Sequence, residues 1–425
     1  MLMTARNPVW GSGGTIAGAA LCGALTLAQP EPSAIQPLRT APTEKFTVNP
    51  GFRDWAPTAI AGTTILGGNS SNRGGLFAVD MLTGKVKWSS RPAGTAHGNP
   101  FVSTAPAVSG DIVIVPMGHT LMALSLTTGK ELWRGPVTEQ GATVAVSSGL
   151  AYVMGEDTAF HALEAATGRE KWKAAFARSG SCDSVPIVRN GTVYLNGSVV
   201  VTPGDANRPA GKYWHLFALD ATTGQERWRS PAAPAGGTGG ACLNHPLATA
   251  DTYFAVEDSR LHAVDLATGR ERWKPIEVRG PVEGRVRAVE VHNLVDAGSV
   301  LVGLTSTGLM AFDKATGQTA WDIPGQYHQS FPSMAVAGRV LYVHGHPGAG
   351  PAAEVQGYIR YSGGKPVVEA PALPPGTLNA IDLDTRAILW SFSRPTGEPN
   401  WPFGFIRPVD GGLWVDSYQA LVKLQ

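Results

Sequence analysis

The side chains best suited to chemistry in this sequence are three histidines, His328, His344 and His346. His344-Gly345-His346 follows the apolar run Leu341-Tyr342-Val343, and in an extended chain residues two apart point to the same side, so both imidazoles face one spot. His328 ends the segment leading into the same stretch. Three neutral imidazoles with a coordination position left open suit zinc, copper or another borderline divalent metal, whose bound water would be activated for hydrolysis or elimination. The competing reading is that histidines flanked by Gly and Pro at a loop mouth face solvent.

A second set is polar and titratable: His97, Glu139, Asp183, His245, Glu283, Arg285, His328 and Arg407. Each sits near the end of a linking segment, and together they are expected to line a central funnel where convergent polar groups orient a ligand. Solvation of a water-filled channel is the alternative. No nucleophile motif, phosphate loop or paired-carboxylate signature accompanies them. Cys182 and Cys242 occupy matching places, in Ser-Cys-Asp-Ser-Val-Pro and Ala-Cys-Leu-Asn-His-Pro, and are expected to form a disulfide if the chain is exported.

The elements that must position these groups follow from an internal repeat. The pattern Ala-x-Asp-x-x-Thr-Gly-x-x-x-Trp, with exchanges, ends at Trp88, Trp133, Trp172, Trp228, Trp273, Trp321 and Trp390, so seven of the 12 tryptophans share one slot. Ser125 and Glu164 replace the Asp in two copies, and Arg386 replaces the Gly in the last. A Thr-Gly connection between two strands needs one residue at positive φ, which Gly supplies without steric cost, while the Asp oxygen satisfies free amides of the turn. Each motif therefore reads as a β-hairpin. A further strand precedes each hairpin, as at Thr192-Val193-Tyr194-Leu195, and another begins near a proline, giving four strands per unit. The indole is expected to pack over the small Ala of the adjoining unit, with its N–H on a backbone oxygen.

The C-terminus sets the count. From Arg407 to Leu424 the chain repeats three strands and stops before a Thr-Gly hairpin, and Lys45-Phe46-Thr47-Val48 is the expected donor of the missing strand, which removes an open sheet edge. The reading is all-β: an eight-bladed β-propeller of four-stranded antiparallel blades, with the eighth closed by an N-terminal strand, over residues 45–425. Gly 52 and Pro 32 against only 16% charged residues agree with many short strands and tight turns.

Residues 1–28 stand apart. Arg6 precedes an uncharged apolar run from Thr15 to Ala28, too short for a span of ~20 residues, and Thr26-Leu27-Ala28 offers a small-residue cleavage site. This is expected to be a signal peptide, with an uncleaved anchor reaching back to Gly11 as the alternative, and hence the only membrane contact. Residues 29–44 read as a linker. The net charge of +1 provides no field for gathering phosphates, which excludes sequence-independent nucleic-acid binding.

The repeat resembles that of the pyrroloquinoline-quinone-type, or quinoprotein-like, propeller family, from about Lys45 to Gln425. The resemblance implies either an enzyme that binds the quinone with calcium and oxidises alcohols or sugars, or a cofactor-free scaffold like the propeller lipoprotein of the Bam outer-membrane assembly machine. The enzymes carry a disulfide between neighbouring cysteines beside the quinone. This sequence has no adjacent Cys pair and no haem-attachment Cys-x-x-Cys-His, so a quinone is not expected, while a divalent metal is left open.

In four-stranded blades the links between blades and the loops between second and third strands share one face. Here that face carries the long segments Ser89 to Thr104, Asn69 to Gly75, Gly197 to Lys212, Ser230 to Asn244 and His344 to Thr377. It is therefore expected to bind a protein, peptide or small-molecule ligand. The alternative is an enzyme, an oxidoreductase or a lyase or cyclase, using His and acid groups of the funnel.

Overall fold

Apolar runs of five or six residues, closed by turn glycines and buried almost throughout in the inner strands, make strands, and strands are the regular elements throughout the described residues. The computed structural model describes residues 35–49, 58–69, 75–91, 102, 104–138, 142–175, 186–201, 211–231, 233–234, 246–257, 259–282, 285–327, 334–347, 361–362, 365–366, 377–393, 403–417 and 420–425. Blade 1 consists of Ala59–Ala61, Thr64–Asn69, Gly75–Asp80 and Val86–Ser90, hydrogen-bonded in that order and antiparallel throughout. The same order recurs in blades 2 to 7, spanning residues 107–137, 144–175, 187–229, 247–277, 291–327 and 334–392. Blade 8 combines Phe403–Val409, Gly412–Ser417 and Ala420–Leu424 with the N-terminal strand Glu44–Val48, whose Val48 pairs with Leu421. The eight-bladed propeller closed by an N-terminal strand is thus the fold.

The Thr-Gly turns work as their chemistry dictates. In blade 1, Oδ1 of Asp80 accepts from the amides of Leu82 (3.1 Å) and Thr83 (2.9 Å) and from the Thr83 hydroxyl (2.9 Å). These bonds, the Thr83 amide first, hold the Asp80 carboxyl below its ordinary value. Gly84 follows at φ 70° and its amide donates to the Asp80 carbonyl. Where Ser125 stands in for Asp, Asp111 of the preceding turn supplies the carboxylate to Thr127 instead.

Packing between blades corrects one expectation. Six of the seven motif alanines lie opposite the tryptophan of their own blade, as Ala78 does to Trp88 and Ala123 to Trp133, not across the seam. Across the seam the indole covers the turn glycine of the next blade. A Cβ on Gly129 would lie 2.5 Å from the Trp88 ring, and Gly168, Gly224, Gly269 and Gly317 meet Trp133, Trp172, Trp228 and Trp273 in the same way. The glycine therefore serves two needs at once, positive φ and room for the neighbour's indole. The expected N–H contact is present at five of the seven tryptophans: Trp88, Trp133, Trp172 and Trp273 donate to Leu126, Ala165, Ala221 and Lys314 of the following blade, and Trp390 donates to Leu38.

The hydrophobic core accordingly lies in the seams. Eight clusters of buried side chains each join two neighbouring blades, from Leu66 and Val113 between blades 1 and 2 round to Trp414 and Phe77 between blades 8 and 1. In the last seam Phe46 of the N-terminal strand takes the tryptophan's place, its ring against Gly84. The stretch expected as a linker is docked over its described part: Gln36 donates to Asp410, the Leu38 amide to the Tyr342 hydroxyl (2.6 Å), and Arg39 pairs with Asp382. Among the described residues no helix is long and apolar enough to cross a membrane. The expected signal peptide, residues 1–28, lies outside the described residues.

Candidate functional site

The antiparallel order divides the loops between two faces. Thr-Gly hairpins and tight turns such as Ser109-Gly110-Asp111 form one, here the turn face; blade-to-blade links and connections between second and third strands form the other, the loop face. Of the funnel candidates, Arg407 and Arg285 are described. His97, Glu139, Asp183, His245, Glu283 and His328 lie outside the described residues, as do Cys182 and Cys242.

Arg407 is carried by Phe403–Val409, the first strand of blade 8, and is buried. Its Nη2 and Nε donate to the carbonyl of Thr58 at the entry to blade 1, at 2.9 and 3.3 Å, and Nη1 to its neighbour Ile406 at 3.4 Å. The guanidinium therefore ties the closing blade to the first. On the adjacent strand, Asp416 is 3% exposed and its Oδ1 has no hydrogen-bond partner. Burial pushes this carboxyl up to about 7 against the opposing pull of Arg407, while burial lowers Arg407 itself to about 10. Trp414, two residues before Asp416 and so on the same side of the strand, has a buried and unpartnered Nε1. The Lys423 ammonium lies 5.8 Å from the Trp414 ring centroid and is lowered to about 8, by burial first and then by Lys45. Sequence reasoning found Arg407 but not Asp416 or Lys423; the alternation in Leu413-Trp414-Val415-Asp416, with Asp in phase with the buried indole, was the available signal.

The metal proposal rests on His344 in part. His344 and His346 belong to one strand, Val340–Pro347, but His344 pairs with Leu378 inside blade 7 whereas His346 pairs with Gln326 of the blade 6 outer strand. The strand changes partners at Gly345, φ 154°. His344 is buried. No group of three His, Cys, Asp or Glu able to hold a metal occurs among the described residues.

Two histidines the sequence reading did not single out sit in a recurring pair. His161 Nδ1 lies 2.8 Å from Glu170, and His262 Nδ1 lies 2.7 Å from Glu271. In both blades the His precedes the motif alanine and the Glu stands two residues before the tryptophan, a signal legible in hindsight. The His161 Nε2 also reaches Asp157, at 2.9 Å, on the loop-face turn of blade 3, beside the His119–Glu156 pair. These pairs join strands and turns.

Arg285 is exposed, on a hairpin inserted between blades 5 and 6 in which Arg279–Val282 pairs with Arg285–Ala288. The hairpin follows the outer strand of blade 5 and approaches the loop-face turn of blade 6, where a Cβ on Gly280 would lie 2.7 Å from the Thr307 hydroxyl.

Compared with known proteins, the chain matches the outer membrane protein assembly factor BamB family over residues 51–147 and 118–401. Curated relatives include the serine/threonine-protein kinase AfsK of Streptomyces coelicolor, 26% identical over 36% of this chain and 23% of that protein. Another is the tetrathionate hydrolase of Acidithiobacillus ferrooxidans, 30% identical over 35% of this chain and 33% of that protein. The chain thus spans a third or less of the length of these relatives. Among solved structures, BamB from Moraxella catarrhalis superposes with a TM-score of 0.61 at 14% identity, covering 91% of this chain and 100% of that one, a likeness of fold. With the family match running through every blade from the first to the seventh, the chain belongs to the outer membrane protein assembly factor BamB family of quinoprotein-like propellers.

Proposed function

We propose that this chain is an exported scaffold that holds a protein partner on its loop face, with the seams serving to keep that face rigid. The observation that carries the reading is the BamB family match over residues 51–147 and 118–401, joined to a fold that covers the whole of a solved BamB chain. The loop face of a propeller offers a broad rim, and rims of this kind bind by shape and a few polar anchors. The apolar leader expected at residues 1–28 supports export, and the near-zero net charge supports a polypeptide partner over nucleic acid.

Photo-crosslinking tests the reading on the full chain in its own cell. A crosslinker placed at Ser306, exposed on the loop-face turn of blade 6, is expected to capture one defined polypeptide. The same group at Leu82, 70% exposed on the turn face, is expected to capture none. Equal capture from both faces, or from neither, overturns the proposal. A quinone or metal retained by the purified chain, with substrate oxidation, would favour the enzyme alternative.

A further inference from the structure

We propose that an arc of the turn face, formed by blades 7, 8, 1 and 2, rests on an anionic lipid surface, its exposed apolar side chains entering the headgroup layer and its unpaired cations meeting lipid phosphates. This is a membrane contact beyond the N-terminal segment. It leaves the loop face turned away from the bilayer, free to hold the partner proposed above.

Five large apolar side chains are exposed among the described residues, and four of them, Leu82, Val86, Leu132 and Ile388, lie in or just after the Thr-Gly turns of this arc. The repeat marks them as departures. The slot two residues before the tryptophan holds Glu131, Glu170, Glu226 and Glu271 in blades 2 to 5, but Val86 in blade 1 and Ile388 in blade 7. Leu132 stands where blades 1, 3, 4 and 5 carry Lys87, Lys171, Arg227 and Arg272. Apolar groups placed where the repeat elsewhere puts charge mark a contact surface. Seam contacts make the arc continuous: Trp390 of blade 7 bonds to Leu38, Phe46 of blade 8 covers Gly84 of blade 1, and Trp88 of blade 1 covers Gly129 of blade 2.

Three cations of the same turns, Lys85, Lys130 and Arg386, are exposed and make no side-chain hydrogen bond or ion pair among the described residues. The carboxylates beside them are engaged, Asp80 with Lys87, Glu131 with Arg134, Asp382 with Arg39 and Asp384 with Arg339, while Asp111 is held by Ser125 and Thr127. Arg386 keeps its side chain at φ 64°, where the six other copies of the motif have glycine, yet that side chain supports nothing inside the described fold. Strain retained without an internal contact points to a role outside the molecule. The N-terminal segment enters at the same arc: Gln36 donates to Asp410 and Pro37 lies against Gly338, in the tight turns of blades 8 and 7. Ala28, the end of the apolar run, precedes Ile35 by seven residues. That is at most about 25 Å of extended chain, so a run held in a bilayer brings this face to its surface.

The test uses the chain beginning at residue 29, the product expected from leader cleavage, which keeps every described contact and lacks the apolar run, so that binding reads the arc alone. Vesicles of equal parts phosphatidylcholine and phosphatidylglycerol are expected to carry the protein down on sedimentation, and vesicles of phosphatidylcholine alone to leave it in solution. Leu82→Ser with Leu132→Ser, and separately Lys85→Glu with Lys130→Glu, should each weaken binding about ten-fold or more. Arg386→Gly should weaken it about five-fold while raising the melting temperature, a pair of changes that a purely structural arginine would not show. Val286→Ser, at the exposed apolar side chain outside the arc, should bind as the parent does. Equal sedimentation with both vesicles, or parent-like binding by the Leu82–Leu132 and Lys85–Lys130 variants, overturns the proposal. Absence of vesicle binding, with capture of a polypeptide at Leu82, replaces the lipid with a protein partner. The Ser306 crosslink reads the loop face independently, so either proposal can fall without the other.

Discussion

Asp416 shows at the scale of one residue how closure of the ring shapes ionisation. Its carboxyl is raised from 3.8 to about 7 by burial, so the folded chain favours the protonated acid. That contribution is full below the unfolded pKa and is lost as pH rises from about 4 through about 7, by up to about 4 kcal/mol. Asp416→Asn, neutral at every pH, should match the parent's melting near pH 4 and exceed it at pH 8; equal pH dependence in both would contradict this reading. Arg386 is the second residue of interest. It holds φ 64° where six other copies of the motif have glycine, a conformation that costs a side chain about 1 kcal/mol. Arg386→Gly is expected to raise stability by about that amount in urea unfolding. The slot of each motif residue was legible from spacing, but its partner was not: the repeat places Ala, Gly and Trp in register along the chain and leaves open which of the two small residues lies across the seam.

At the scale of elements, the closing strand and the segment before it do separate work. Glu44–Val48 completes the ladder of blade 8, and Phe46 covers Gly84 as the tryptophans cover theirs. Phe46→Ala should cost about 2 kcal/mol, whereas Phe46→Trp should be tolerated, as read from chemical denaturation. The segment before it supplies the carbonyl of Leu38 to Trp390, because blade 8 has no Thr-Gly turn to do so. A chain beginning at residue 44 should therefore melt below one beginning at residue 29, and identical melting would contradict a docking role for Leu38 and Arg39. The strand was legible in the sequence through the missing fourth strand of blade 8. The docked segment was not, because it is aperiodic and is held by single bonds to Tyr342, Asp382 and Asp410 that no local pattern announces.

For the molecule as a whole, eight seams and eight apolar clusters close a ring in which no blade is an end. This global order was readable because it is written many times over, while the candidate site was readable only as a face: loop positions obey no repeat, and of the funnel set only Arg285 and Arg407 can be placed. A disulfide between Cys182 and Cys242 remains our proposal for the exported chain, since both precede the first strands of neighbouring blades; alkylation after unfolding without reductant should then find no free thiol at either position. The central claim is that the propeller is a scaffold for another polypeptide. Native mass spectrometry of the chain, isolated from its own cell envelope without denaturant, tests it most directly. The account predicts the mass of the propeller joined to one further polypeptide, with no quinone or metal retained. A propeller that travels alone and carries a bound quinone or metal would contradict it.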